Sequence, residues 1–381
     1  MSNPIIYKGR GTPEMYDDLM DFMNYVFGFD GDNKDFKTLL PKLYKPEYDP
    51  CYNNYVITEN GKLKAAIGAY DFDYSVAGET LRCRGIGNVA VHPYTRSRGY
   101  MKDCVNMAVE DMIRDGIDYS ALGGQRQRYG YFGYEISGSE YNMQVDRNNI
   151  DHCFRDVPLR DLEIRPLKAD EDALLDQILA LHNAQPLHAI RERSRLFDIL
   201  SNWHSVPYVV LDGKKFLGYF YGGFREITLV NNDDYYDVLR NYIMKYGNVN
   251  VRIPMWNKPL IDKTVAICDQ QSIGTCEMIS VFNYERVVGA FLKLKAMTEP
   301  LADGKLTVFI HGYAGDCKLR ISVKDQVTSV EKFKGNCDIE LSHAEAISFF
   351  FGFNSARRRE IKPALQNWFP LPMHLYEADQ V

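Results

Sequence analysis

The spacing of hydrophobic and polar positions changes several times along the chain, and each change marks a predicted element. From Pro13 to Phe29 the apolar residues Met15, Leu19, Phe22, Met23 and Val26 recur close to a helical repeat. Tyr55-Val56-Ile57 and Leu63 to Ala69 flank the turn Glu59-Asn60-Gly61. An Asn-Gly turn between two apolar runs predicts a hairpin, because both central positions take positive φ. A strand is expected from Gly87 to Val91, then a helix from about Gly99 to Arg114 with Met101, Cys104, Val105, Ala108 and Met112 on one face. Asp115-Gly116 ends that helix, and Ile117 to Leu122 resumes as strand.

The same rhythm returns further on. A strand near Leu162 to Pro166, a helix from Asp170 to His182, a strand–turn–strand at Tyr208 to Tyr221, a helix at Asp233 to Tyr246 and a strand at Val249 to Ile253 echo the first unit in architecture rather than in sequence. The last part of the chain differs. Leu306, Val308 and Ile310 alternate, as do Leu319, Ile321 and Val323, which predicts half-buried antiparallel strands. His343 to Phe351 then reads as helix, so this part is expected to be a small α+β domain. The division expected is 1–155, 156–285 and 286–381, consistent with single cores ceasing to grow near ~250 residues.

Composition narrows the partners. The net charge of −6 argues against holding a polyanion by global attraction, so no nucleic-acid partner is expected. No run approaches the ~18 apolar residues of a membrane span. Met1 to Lys8 lacks the charged-then-apolar pattern of a signal peptide, so a cytoplasmic location without membrane contact is expected. The eight cysteines form no C-x-x-C pair and are expected as reduced core residues rather than a zinc site or a disulfide framework. No metal is expected, and His92 and His152 have no partners at ligand spacing. Arg357-Arg358-Arg359 reads as a solvated helix face, and Glu377 and Asp379 as solvated tail charges or an attraction for a cation.

The stretch richest in chemistry is Asn88-Val89-Ala90-Val91-His92-Pro93-Tyr94-Thr95-Arg96-Ser97-Arg98-Gly99-Tyr100-Met101, a strand running through a basic loop into a helix. The first N–H groups of a helix lack internal partners and carry partial positive charge. Gly99 removes a side chain that would keep a diphosphate from the backbone, and Arg96 and Arg98 add fork-shaped donors. Together they describe an anion cradle; the plainer alternative is a surface turn with solvated arginines. Neither the Rossmann nor the P-loop glycine pattern is present.

This segment resembles motif A of the GNAT N-acetyltransferase superfamily, Gln/Arg-x-x-Gly-x-Gly/Ala, with Arg96 and Gly99 in the first two places and Met101 where Gly or Ala is usual. Gly123-Gly124 and Tyr129-Gly130-Tyr131-Phe132-Gly133-Tyr134 further resemble the enhanced-intracellular-survival (Eis) acetyltransferases. The resemblance implies an α/β chain of three domains: a GNAT domain, a degenerate GNAT-like domain and a C-terminal α+β domain like sterol carrier proteins. It implies acetyl-CoA as cosubstrate, a small-molecule amine such as an aminoglycoside or polyamine as acceptor, and a homo-oligomer, a hexamer in relatives. Val89 and Val91 would offer backbone groups to the pantetheine arm, and Arg96, Ser97, Arg98, Gly99, Tyr100 and Met101 would wrap the pyrophosphate. Tyr129 corresponds to the family's general acid and Val381 to its general base, a terminal carboxylate, although relatives commonly end in Phe.

Read without the resemblance, Tyr129 is by default a core or pocket-wall tyrosine and Val381 ordinarily a frayed end. Phe27, Phe29 and Asp30, at the end of the first predicted helix, either line an amine pocket or form core and turn. A non-catalytic alternative rests on the apolar run Ile347-Ser348-Phe349-Phe350-Phe351, which in a sterol-carrier-like domain would face an apolar ligand.

Overall fold

The computed structural model describes residues 4–29, 31 and 34–381. Its organising element is a seven-stranded sheet. We label β1 (Ile6–Arg10), β2 (Asn54–Glu59), β3 (Lys62–Asp71), β4 (Cys83–Val91), β5 (Tyr119–Leu122), β6 (Glu135–Ser137), β7 (Glu140–Val145) and β8 (Glu277–Val281). The sheet runs β1-β2-β3-β4-β5-β8-β6. The hairpin turn takes the expected form, with φ of 50° at Asn60 and 77° at Gly61. Helix α1 (Tyr16–Phe27) covers one face of β3 and β4 through Leu19, Met20 and Met23, against Leu63, Ala66, Tyr70 and Ala90. Helix α2 (Tyr100–Arg114) packs Cys104, Val105, Ala108 and Met112 on Ala65, Ile67, Ala69 and Ile86. Successive residues of β3 thus serve opposite faces, as strand geometry requires.

The sheets do not follow chain order. Strand β8 crosses back to complete the first sheet, pairing antiparallel with both β5 and β6. In exchange β7 pairs with Val249–Pro254 and Gln270–Gly274 of the following region. A separate four-stranded sheet, including Pro207–Asp212 and Lys215–Tyr221, packs with helix Tyr235–Tyr246 around Phe220, Val238 and Leu239. The last region is a four-stranded sheet of Gly304–His311, Cys317–Lys324, Val327–Lys332 and Ile339–Ser342 with helix His343–Phe350. Its core is continuous with the inner face of β4 and β5, where Cys83, Tyr119 and Ala121 meet the cluster holding Phe349, Phe350 and Phe351. The architecture is mixed α/β throughout, and no helix among the described residues is long and apolar enough to cross a membrane.

Three local expectations are corrected. Arg358 is no solvated helix face: it donates to the carbonyls of Ser348, Phe349, Gly352 and Phe353, satisfying the open end of helix His343–Phe350. Glu377 and Asp379 are not solvated tail charges either; both are ion-paired, as set out below. All eight cysteines are free, yet Cys153 is exposed and only Cys51, Cys83 and Cys104 are buried.

Candidate active site

Strands β4 and β5 run parallel in register from Cys83↔Tyr119 to Ile86↔Leu122 and then part. Two features drive the parting. Asn88 takes φ of 53°, and the register of β3 against β4 shifts by one residue there, so β4 carries a bulge. On the other side, Gly124 (φ 136°) turns the chain away from β5. On the β5 side Gly87 to Val91 therefore border a notch, while β3 still pairs with them on the other, and Val89 and Val91 are half-buried at its edge.

The notch leads to the start of α2. Gly99, at φ 81°, is its N-cap, and a Cβ built there would meet nothing within 4 Å. The first intrahelical bond is Asp103 N–H to Gly99 O (3.0 Å), so the N–H groups of Tyr100, Met101 and Lys102 have no backbone partner among the described residues. Arg96, Ser97 and Arg98 are exposed around this end, with Ser97 at φ 70°. The arrangement is an open, donor-lined concavity suited to a diphosphate. Two expected contacts are differently engaged. Arg98 pairs with Glu59 at 2.9 Å, and the buried Tyr100 donates its hydroxyl to the same carboxylate. Arg96 has no side-chain partner among the described residues.

Tyr129 ends the short helix Arg126–Tyr129 and is buried, its ring lying against Gly124, where a Cβ would come within 2.9 Å of Cε2. Burial raises its phenol above the ordinary value, and Arg128 works against that rise.

Val381 lies on the other wall of the same strand. A Cβ at Gly87 would stand 2.5 Å from Val381 O, and one at Gly85 would stand 2.6 Å from its Cγ2. Glycine inside a strand commonly marks a close approach of another backbone, and Gly85-x-Gly87 is the one sequence signal that pointed here. The tail reaching this point is buried, with Leu371, Met373 and Leu375 in the inner core and Ala378 in the neighbouring one. Lys42 Nζ donates to Ala378 O at 2.7 Å and also to Gln380 O. Asp379 accepts from Arg191 Nε and Nη2 (2.8 and 2.9 Å), and Arg191 makes a second two-point pair with Glu226 (2.8 and 2.7 Å). Tyr219 donates to Glu226, and Glu377 pairs with Arg225 and Arg252. Burial lowers the Lys42 ammonium to about 7, partly offset by Asp379.

Gly87→Ala tests this packing without any substrate. The added methyl overlaps Val381 and has no flexible neighbour to move, so it should expel the last residues. We expect carboxypeptidase to release Val381 at least ~10-fold faster than from wild type, with little change in melting temperature; equal release rates would contradict the close approach.

Beside Val381 opens a cavity of about 270 Å³ between the first and second regions. Tyr70, Asp71, Phe72 and Asp73 wall one side and Ile190 and Glu192 the other. Phe27 and Phe29 are not among its lining residues. Phe27 packs on Phe36 at 5.0 Å, and Phe29 meets Tyr25 and Tyr94 edge-on, nearer the basic loop. Asp30 lies outside the described residues. Glu140, Cys276 and His374 bring donor atoms within 4.8 Å of one another, but Cys276 Sγ already bonds His374 Nδ1 at 3.3 Å and Arg252 stands 3.8 Å from Glu140.

Residues 10–137, which run from the last residue of β1 through β6 and include the helix that follows the notch, match the family described as acetyltransferase (GNAT) domain. Over those residues the chain is similar to GNAT acetyltransferase domains. No curated protein matches the sequence. Solved structures share the fold of the whole chain. A GCN5-related N-acetyltransferase from Kribbella flavida aligns at TM-score 0.67 and 15% identity, over 100% of this chain and 99% of its own. One from Anabaena variabilis gives 0.68 and 15%, over 98% of each chain, and Eis1 from Mycobacterium abscessus gives 0.64 and 15%, also over 98% of each. The matched segment thus contains the notch, the basic loop and Tyr129, whereas β8, Arg191 and Val381 come from outside it.

Proposed function

We propose that the protein is an acetyl-CoA-dependent N-acetyltransferase acting on a small primary amine, with Val381 as general base and Tyr129 as general acid. The observation that carries the reading is the convergence on one strand, β4, of a donor-lined notch and the Val381 main chain over Gly87. Bound acetyl-CoA supplies a thioester carbonyl and a thiolate leaving group. The chain's own part is to grip and to move protons. Val89 and Val91 offer backbone groups along the notch, and the N–H groups of Tyr100 and Met101 with Arg96, Ser97, Arg98 and Gly99 receive the pyrophosphate. The acceptor enters the cavity beside Val381, where Asp73 and Glu192 offer carboxylates to a cation against the positive charge of Lys42 and Arg195, Asp71 and Asp379 being paired with Arg84 and Arg191.

An ammonium group has a pKa near ~10.4 and keeps its proton at neutral pH, so exposing the lone pair costs about 4–5 kcal/mol. A base within reach lowers that cost, and Val381 is one of the residues lining the cavity. Tyr129, held neutral by burial, has a proton to give to a departing thiolate. Direct attack needs no enzyme nucleophile.

The reading is tested by CoA-thiol release on a broad amine panel together with Tyr129→Phe. That variant should lower kcat by about 10²-fold and leave acetyl-CoA affinity by calorimetry within about twofold. Wild-type protein that neither binds the coenzyme nor releases thiol would refute it. The alternative of an apolar ligand in the last domain gains no support, since Ile347, Phe349, Phe350 and Phe351 are themselves fully buried core. A sterol-carrier-like identity for that domain and a hexameric assembly, checked by light scattering, belong to the same proposal by resemblance.

A further inference from the structure

We propose that Glu277 is the proton sink of the acceptor site, taking through the Val381 carboxylate and one bridging water the proton that an ammonium substrate must lose. The inference rests on the acetyl-transfer reading above and adds a residue from outside the matched segment.

Glu277 opens β8, the strand that crosses back into the first sheet, with Ser137 of β6 opposite it on one side. On the other side lies Gly123, where a Cβ would stand 3.3 Å from Glu277 Oε1. Glu277, half-buried, lines a pinched cavity of about 10 Å³, room for no more than one water, whose walls also include Gly85, Ala121, Asp379, Gln380 and Val381. The cavity shares Phe72, Asp379 and Val381 with the larger acceptor cavity, so Val381 stands between the two. The charged groups facing Glu277 are Lys42 and Glu377, with Asp379 and Val381 across the gap, while Ser137 and Gly123 beside it are neutral. Burial pushes the Glu277 carboxyl up to about 8, with Lys42 opposing and Glu377 adding to the rise.

That setting answers a difficulty in the chemistry. An α-carboxylate of pKa ~3.5 takes a proton from an ammonium of ~10.4 against an equilibrium of about seven powers of ten; a group near 8 reduces this to between two and three. The steps balance as one N–H bond broken at the ammonium and one O–H bond formed at Val381. The bridging water then passes a proton to Glu277, which becomes the neutral acid while Val381 regains its charge. No electrons are exchanged, and Glu277 returns the proton to solvent between turnovers.

Glu277 acts through Val381, so its test needs readouts that loss of structure alone would not give. Difference infrared spectroscopy of the ligand-free protein against Glu277→Gln should show a carboxylic C=O band that fades as pH rises through about 8 and is missing from the variant. With the best amine, wild-type kcat/KM should rise through the same pH. Glu277→Gln should lose that limb and fall about 10²-fold at its top, with acetyl-CoA affinity unchanged. A Glu277 band titrating in the ordinary carboxylate range, or a variant with the wild-type pH profile, overturns the proposal while acetyl transfer stands. A wild-type protein that acetylates no amine removes the underlying reading and the proposal with it, even if the band titrates near 8.

Discussion

Adding two residues after Val381, or deleting Gln380 and Val381, is expected to lower kcat by at least about 10²-fold while coenzyme affinity stays within about twofold. The two halves of that expectation have different physical sources. On the proposed reading, coenzyme affinity rests on the basic loop and the first turn of α2, whereas Val381 meets β4 further back, at Gly85 and Gly87. On the same reading turnover depends on where the Val381 carboxyl group lies, and the residue has no slack: a methyl at Gly87 would overlap its main chain and one at Gly85 its side chain. Extra residues would have to pass through that wall or push the end of the tail aside, and either moves the base by more than an ångström. Deletion has the opposite geometry and the same result. It removes the carboxylate from the cavity and takes away Gln380 O, one of the two carbonyls that hold Lys42. Single-turnover kinetics with saturating acetyl-CoA, beside calorimetry, separate the two terms; normal turnover in both variants would exclude Val381 as the base.

What could be read in the sequence was local. The turn at Asn60-Gly61, helix α2 from Tyr100 and the basic loop before it are each specified within a dozen residues, and the structure forms them where expected. Strand β4 begins at Cys83, before the expected Gly87, because Cys83 and Ile86 are buried on opposite faces with Arg84 and Gly85 between them, which hides the alternation. The rest of the site is non-local. Nothing near Glu277 tells that its strand inserts between β5 and β6, since the first sheet closes only when a segment some 140 residues later returns to it. The same holds for Lys42 and Arg191, whose partners Ala378 and Asp379 lie at the far end of the chain. Charge in the tail was visible as Glu377 and Asp379, but a charge pattern carries no partner, and the buried partners reverse the reading from solvated ends to a fixed strap.

That strap supplies the largest expected effect on stability. Arg191 is fully enclosed and serves two carboxylates, Asp379 on the tail and Glu226 on the strand beside Tyr219. Arg191→Met keeps the volume and leaves both carboxylates buried without their cation, which should cost about 3–5 kcal/mol and lower the melting temperature by about 10 °C. Asp379→Asn should cost less, because Arg191 keeps Glu226. The pH dependence gives the sign. Burial alone would raise Glu226, but Arg191 outweighs it, with His182 adding, and holds it well below the ordinary carboxylate range. Its contribution is therefore complete above the unfolded value of ~4.3 and is lost as pH falls through the folded one. In Arg191→Met the same group is buried unpaired, so its folded value lies above the unfolded one and protonation now stabilises the variant as pH falls. The gap between the two melting curves should be widest near pH 7 and narrow toward pH 4. A gap that is constant across that range would mean that Arg191 acts by packing rather than by charge. Hydrogen exchange at residues 371–381 supplies the link to function, because faster exchange in Arg191→Met at neutral pH is what a strap released from its anchor must show.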